Sequence, residues 1–583
     1  MTKPYQKKIQ RRTILLSVFF FLWLGGLTFR LIQMQIIQRT DAQKKILAQN
    51  QTIIDIRPNR GTIYGRKGNI LARSIPRKSV FYHPFENDSV SQQINKISRL
   101  KNIIDLSDKD IQIIKKRIQK NDNFIWIMRK IEDGPAEKVK ELDIAGVHMQ
   151  EEKKRFYPQG KLAAHLLGRV SRDDAGQTGI ELYFQSILAG EAGKQINFFD
   201  AKRRKYRFEI IKEPVDGHDI ILTIDETIQF IAEKELSNAM KERHAEWGTV
   251  IISQPQTGDI LAMANYPTFD PNFNSPDFDM TDRINSIHYI YDPGSTFKIV
   301  TASAAIEFHA VGQNDTFDCS AGSIKIAGKN FKDHSHYDIL TFPEVIIHSS
   351  NVGTIQVGQF IGEKHLYDMI KKFRFGQRTG IDLPMEEPGL LWPTDRWSKR
   401  SLASLSIGYE ISVTPIQMLM ALNTIANHGM YIPPKVVKKI MISSNKRPAA
   451  KKKPIRVISE QTASDIEAIL QDVVRFGTGK TARIKGYTIT GKTGTAQKRD
   501  PVTKRYMSTA HIASFVGYVS SIRPLFSIIV VIDDPKGQYY GSQVAAPVFR
   551  AITSKILRYY GIPREIQPEK QLIVAQHSQG AAK

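Results

Sequence analysis

Cysteine is nearly missing from this 583-residue chain, in which Cys319 stands alone. That excludes an intramolecular disulfide framework and any metal site built on several thiolates. Acidic residues are also short, 58 against 83 lysines and arginines, leaving a net charge of +25. Such an excess favours anionic partners: nucleic acid, an acidic membrane surface or an anionic polymer. No nucleic-acid motif and no interleaving of basic and aromatic residues accompanies it, so nucleic acid is set aside as a partner. No internal repeat is visible. A second long apolar run is absent too, because residues 528–532 (Ile-Ile-Val-Val-Ile) are too few to span a bilayer and fit a core strand. Hydrophobic residues at 41% and charged residues at 24% leave enough apolar material for a large core. The length points to more than one domain.

The N-terminus carries the one apolar run. Residues 1–12 include Lys3, Lys7, Lys8, Arg11 and Arg12 and no acid. Residues 13–29 are uncharged and rich in aromatics, and as a helix they span roughly 26 Å, close to a bilayer core. Arg30 can snorkel, and residues 31–37 can continue the helix. The basic flank predicts a cytoplasmic tail over 1–12, an anchor over 13–37, and residues 38–583 outside. A cleaved signal peptide fits less well, since its apolar region would be overlong and no Ala-x-Ala site follows.

Residues 40–215 are polar and mixed, with extended stretches at 60–65 and 67–72 and helical periodicity over 100–118. Residues 191–217 read as a junction. From 220 the texture changes. A helix is predicted over 226–241, then two strands, 248–253 and 259–264, across a turn at 255–258. Helices follow at 299–308, 344–360 and 416–427. Strands return at 487–490, 512–518 and 526–532, and a helix over 545–559 closes the domain. Strands at both ends with helices between predict one α+β domain whose sheet is assembled from distant parts of the chain. The polar run 443–453 reads as a solvated loop or hairpin tip, and the tail beyond 563 as weakly ordered.

Chemistry concentrates in three short motifs. A serine hydroxyl needs an adjacent base to act as a nucleophile. A lysine three residues on lies one helical turn later on the same face, and serves if burial and neighbouring cations depress its pKa. Ser295 and Lys298 have this spacing, but so do Ser98 with Lys101 and Ser443 with Lys446. Context separates the first pair. A turn at Pro293 and Gly294 precedes it, an apolar helix follows, and two further motifs come in order: Ser349-Ser350-Asn351, then Lys492-Thr493-Gly494-Thr495. That series is close to the Ser-x-x-Lys, Ser-x-Asn, Lys-Thr-Gly triple of penicillin-interacting enzymes.

With these residues in view, the chain resembles the class B penicillin-binding proteins of the division type, the penicillin-binding protein 3 or FtsI group of peptidoglycan D,D-transpeptidases. Arg155-Phe-Tyr-Pro158, Ala164, His165, Gly168 and Gly179-Ile-Glu181 are similar to that family's pedestal. Residues 258–264 with Tyr266, Pro267 and residues 270–272 are similar to the segment before its nucleophile. Trp397, Ser398, Val413-Thr-Pro415, Tyr539-Tyr-Gly541 and residues 546–549 extend the match. The resemblance implies an elongated mixed α/β pedestal over 38–218. It implies a transpeptidase domain over 219–562, a five-stranded antiparallel sheet flanked by helices, with a tail over 563–583.

It implies the site residues as well. Ser295 attacks the carbonyl between two D-alanines of a stem peptide, assisted by Lys298. Ser349 relays a proton, and Asn351 orients Lys298 and the substrate. Lys492, Thr493, Gly494 and Thr495 form the strand that holds the terminal carboxylate, with the backbone N–H groups of Ser295 and Thr495 as oxyanion hole. β-Lactams acylate Ser295. The expected partners are stem peptides, a SEDS-family glycosyltransferase and other membrane proteins of the division machinery, with no cofactor and no metal. Two departures stand out. Gly65 occupies a place where the family usually has an acid, which predicts an altered pedestal turn, and Asp292 replaces the commoner Glu.

Other eye-catching residues receive plainer readings. Asp333, His334 and His336 form no closed ligand set, so they read as ordinary loop residues. His165 and His511 read as structural, since a lysine base is already in place. Residues 477–480 lack full phosphate-loop spacing and read as a turn. Asp533 and Asp534 end a strand. A β-lactamase or β-lactam sensor, an elongation-type relative and a non-enzymatic division scaffold are the rival readings. The Glu-x-x-Leu-Asn of a class A hydrolase is missing around Glu386 and Glu387.

Overall fold

The structure is a computed structural model that describes residues 3–37, 51–84, 88–199, 205–273, 282–442, 445–448, 453–500, 503, 505–520 and 526–564. The chain forms two compact units, one of residues 1–59 with 190–217 and one of 60–189 with 218–583.

In the first unit the helix Lys3–Ile32 runs into a π-helical turn, Gln33–Ile37. It starts ahead of the apolar run, so Lys7, Lys8, Arg11 and Arg12 ride on the same helix. Its apolar stretch is long enough to cross a membrane. Phe19, Phe21 and Leu22 are about 70% exposed, and a helix apolar on all sides without protein cover is suited to lipid. This fits a single-pass anchor. The same unit holds an antiparallel sheet of Gln51–Ile56, Gly193–Phe199 and Lys205–Lys212. The junction expected over 191–217 is therefore mostly strand. Its charges hide the pattern: Lys205, Arg207 and Glu209 alternate with Tyr206, Phe208 and Ile210, a period of two.

The second unit contains a seven-stranded sheet drawn from three distant regions. Its order is Asn445–Pro448, Val437–Ile442, Asp219–Leu222, Ile63–Tyr64, Ile70–Tyr82 and Ile125–Ile131, with Val147–Phe156 also paired to Ile70–Tyr82. Helices Val90–Ser98, Asp108–Gln119 and Asp133–Glu141 supply Ile97, Ile114, Ile118 and Val139 to a core over Val80, Tyr82 and Ile125. Ser89 and Ser107 open the first two helices with capping boxes.

The pedestal motifs meet on one buried carboxylate. Glu181 takes Arg60 Nε on one oxygen and Arg155 Nε on the other, each at 2.6 Å, with all three side chains under 5% exposed. Arg155 also donates to the Gly61 carbonyl at 2.8 Å. Removing one partner of such a group strands the others in the interior. Glu181→Ala is expected to destabilise the fold by about 3–5 kcal/mol. The check is the denaturant midpoint of the detergent-solubilised chain; an unchanged midpoint would show that the pairs contribute nothing. At Gly65 the absent side chain has a replacement. A Cβ there would collide with the Glu226 carboxylate, which arrives from the helix Glu226–Arg243. The turn closes with Gly68 N–H on the Gly65 carbonyl at 3.0 Å.

The second sheet of this unit is the five-stranded antiparallel one expected. Its order is Ile260–Tyr266, Trp247–Ser253, Ser527–Asp533, Tyr506–Ser520, Thr488–Arg499. Helices Glu226–Arg243 and Ala545–Tyr559 pack on one face through Ile228, Leu236, Phe549 and Ile552. Helices Lys298–Glu307, Pro415–Ala426 and Glu460–Arg475 pack on the other through Ile299, Met418 and Ile466. Trp247–Ser253 and Ser527–Asp533 are covered on both faces and buried at every position, which is why residues 250–252 and 528–532 read as unbroken apolar runs rather than as an alternation. Thr488–Arg499 is an edge strand. The helix expected over 344–360 is in fact two, Phe342–Ile347 and Asn351–Lys372. Ser349 breaks it at φ +59°, and Ser350 caps the second helix by accepting from Gly353 N–H.

Candidate active site

Four elements converge on this site, and the first is the nucleophile turn. Pro293, with its fixed φ, leads into a 3-10 turn, Gly294–Phe297, which continues as the helix Lys298–Glu307. Gly294 sits at φ +56°, and a Cβ there would press within 3.1 Å of the Thr495 carbonyl. The turn thus lies directly against the edge strand. Ser295 is half-buried, and Phe297 beneath it is fully buried.

Lys298 is fully buried. Its Nζ donates to the Ser349 carbonyl at 2.8 Å, to Asn351 Oδ1 at 2.9 Å and to the Ser350 carbonyl at 3.2 Å, and lies 3.4 Å from Ser349 Oγ. Burial first, and the charge of Lys492 second, hold its pKa well below the usual lysine range. Lys492 is also fully buried, donates to Ser349 Oγ at 3.0 Å, and is pushed down to about 7 by burial. Ser349 Oγ therefore bridges two buried amines. Two cations so close in a dry site oppose each other, which favours at least one free amine at neutral pH.

The edge strand supplies the rest. Thr493 Oγ1 shares a hydrogen bond of 2.8 Å with Thr478 Oγ1. A side chain at Gly494 would meet Ser514 Oγ, and Thr296 Cγ2 at 2.8 Å. Thr495 Oγ1 accepts from Gly541 N–H at 2.9 Å. Asp292, ahead of the turn, binds Arg499 Nη2 at 2.8 Å, Tyr506 Oη at 2.5 Å and Ser412 Oγ at 3.2 Å. Burial pushes its pKa up.

The structure joins Lys298, Ser349, Asn351 and Lys492 by hydrogen bonds, and packs the Ser295 turn and Gly494–Thr495 against one another. The rival spacing at Ser98 lacks this setting. Ser98 Oγ donates to the Ile94 carbonyl at 2.9 Å, and Lys101 is 43% exposed and paired with Asp108 at 2.6 Å. Ser443 lies outside the described residues. His165 is buried edge-on against Phe269, and His511 stacks on Tyr539 with ring centroids 4.1 Å apart.

Sequence reasoning missed three contributors. Asp333 binds the turn at Ser350 and Asn351. Thr478 lies in the turn 477–480 and reaches Thr493. Gly541 fits only because a side chain there would overlap the carbonyl oxygens of Gly494 and Ser514. The Tyr539-Tyr-Gly541 match was a signal for the last; Asp333 and Thr478 carry no local one.

Comparison with known proteins gives the same reading. The sequence matches the penicillin binding protein transpeptidase domain over residues 248–554 and the penicillin-binding protein dimerisation domain over 55–222. It is 34% identical over 528 residues to Stage V sporulation protein D of Bacillus subtilis, across 88% of this chain and 80% of that protein. It is 32% identical over 565 residues to the peptidoglycan D,D-transpeptidase FtsI of Escherichia coli, across 95% and 92%. Among solved structures, penicillin-binding protein 3 of Mycobacterium tuberculosis complexed with aztreonam superposes with a TM-score of 0.69 at 27% identity, covering 88% of this chain and 98% of that one. A transpeptidase domain carried behind a dimerisation domain, with the three motifs around one pair of buried lysines, makes this chain a member of the class B penicillin-binding proteins.

Proposed function

We propose that this chain is a septal peptidoglycan D,D-transpeptidase that works through an acyl-enzyme on Ser295. The observation that carries the reading is the convergence of the Lys298 and Lys492 amines on Ser349 Oγ, with the half-buried Ser295 three residues before Lys298. Lys298, held toward its free-amine form, takes the Ser295 proton as Oγ attacks the carbonyl between the two D-alanines. The backbone N–H groups of Ser295 and Thr495 stabilise the oxyanion. The C–N bond breaks as Ser349 passes its proton to the departing D-alanine amine and takes one in turn from Lys298. An amine from a neighbouring stem then attacks the ester and gives up a proton, the peptide bond forms as the ester C–O bond breaks, and the amine's proton passes to Ser295 Oγ. No redox change occurs. Lys492 with Thr493 and Thr495 binds the terminal carboxylate, to which a cation and two hydroxyls are suited. β-Lactams follow the first half of the path and remain as esters.

We further propose residues 38–218 as pedestal and 219–562 as catalytic domain, with the catalytic domain outside the cytoplasmic membrane at the division site. A SEDS-family polymerase and other division proteins are the proposed partners. The likeness to the E. coli FtsI, 32% identical across 92% of that protein, is what supports the division role. The test is to give purified chain penicillin, and separately a donor stem peptide with an acceptor amine. A long-lived penicilloyl ester, release of D-alanine and a crosslinked product are expected. Rapid penicillin turnover would favour a β-lactamase or sensor, and no label at all a scaffold. Lateral rather than septal placement of a fluorescent fusion would favour the elongation role.

A further inference from the structure

We infer that Asp333 is a positioning residue of this site. Its carboxylate fixes the turn that delivers Ser349 and Asn351 to the two lysines, and sets a negative charge against the turn that binds Lys298. The inference rests on the acyl-transfer reading above.

The turn is not one the chain adopts unaided. Ser349 is held at φ +59°, an unfavourable region for a residue with a Cβ, so its surroundings must hold it there. The helix Asn351–Lys372 starts directly afterwards, and its first N–H groups have no partners within the helix. Ser350 Oγ accepts only that of Gly353. Those of Asn351 and Val352 both point at Asp333 Oδ1, the second at 3.1 Å. Ser350 Oγ in turn donates to Asp333 Oδ2 at 2.7 Å. One carboxylate thus holds three consecutive residues, Ser350 and Asn351 of the motif and Val352 after it, at a helix end where negative charge is favoured.

The same loop fixes the amide of Asn351. Its Nδ2 donates to the Lys332 carbonyl at 2.9 Å, which turns Oδ1 toward Lys298 Nζ. Residues 332 and 333 therefore set both the backbone and the side-chain orientation of Asn351.

The charge has a separate effect. The groups that bear on Lys298 are Lys492 from the edge strand, Asp333 and His334 from this loop, and the buried Cys319. Burial pushes the Cys319 thiol up, so it is neutral at pH 7. Burial and Lys492 favour the free amine of Lys298, and Asp333 opposes them. Removing that charge must lower the Lys298 pKa further.

Two substitutions separate the effects. Asp333→Asn keeps an oxygen for the two amides and a polar partner for Ser350 Oγ, but removes the charge. Asp333→Ala removes everything. The readout is the second-order rate of β-lactam acylation by the full-length chain in detergent, from mildly acidic to mildly alkaline pH, corrected for folded fraction by thermal melting. Asp333→Ala is expected to lose about tenfold, the scale of one helix cap. Asp333→Asn is expected to keep most of the plateau rate while its acid limb moves to lower pH by on the order of half a unit. Wild-type rates in Asp333→Ala would overturn the inference, as would an acid limb that stays put or moves up in Asp333→Asn. A wild type that is never acylated would instead overturn the functional reading, and this inference with it.

Discussion

Ser295→Ala is expected to abolish labelling by fluorescent penicillin, a loss of about 10⁴-fold or more, as when other acyl-transfer enzymes lose their nucleophile. Ser443→Ala is expected to label like the wild type. The contrast is informative because spacing alone did not choose between these serines. What favours Ser295 is the state of its lysine. Lys298 is fully buried, hydrogen-bonded to the Ser349–Asn351 turn and close to a second cation. A lysine in water is protonated at neutral pH and cannot accept a proton, so an exposed serine–lysine pair is inert as a nucleophile and base. Ser295→Ala removes only one oxygen from a half-buried position, so the variant should stay folded. Loss of label in Ser443→Ala alone would move the site elsewhere.

The second large effect concerns Lys492. Lys492→Met is expected to cut acylation by about a hundredfold or more, because the substrate or β-lactam carboxylate loses its cation in a dry site. It is also expected to make the protein more heat-stable at neutral pH. The reason lies in proton linkage. The Lys492 pKa falls from its ordinary 10.5 to about 7 through burial. Between those two values the unfolded chain carries a proton that the folded chain lacks, so this residue makes stability rise with pH across that window. Below about 7 the full cost of the buried cation is present. Methionine removes that cost. The gain in melting temperature should be greatest near neutrality and should shrink as pH climbs toward 10. A variant that melts lower at neutral pH, or that acylates at the wild-type rate, would contradict this account.

Much of the fold was legible because each signal came from local chemistry. The apolar run at 528–532 fits a buried strand and residues 545–559 a closing helix, and both form. The predicted helix over 344–360 failed at the residue that matters most. Its apolar spacing is helical on both sides of Ser349, and the break depends on Asp333, eighteen residues before Asn351, which no sequence window contains. The expected junction at 191–217 holds the strands Gly193–Phe199 and Lys205–Lys212, the second of which is hard to read because Lys205, Arg207 and Glu209 conceal its alternating pattern. In the site, Ser295, Lys298, Ser349, Asn351 and residues 492–495 were recognised as motifs with known spacing. Asp333 and Thr478 were not, since a single polar residue in a loop gains a role only from what the fold sets beside it.

The seven-stranded sheet has a consequence for how the protein is made. Asp219–Leu222 pairs on one side with Ile63–Tyr64 and on the other with Val437–Ile442. The last of these strands leaves the ribosome about two hundred residues after the first two are complete, a wait of roughly 10–40 s at ordinary rates of synthesis. Throughout that interval Asp219–Leu222 shows an open edge that other extended chains can join. Anything that slows elongation between residues 222 and 437, such as rare codons or a stalled export channel, should therefore raise aggregation of the nascent chain while leaving the finished protein unchanged.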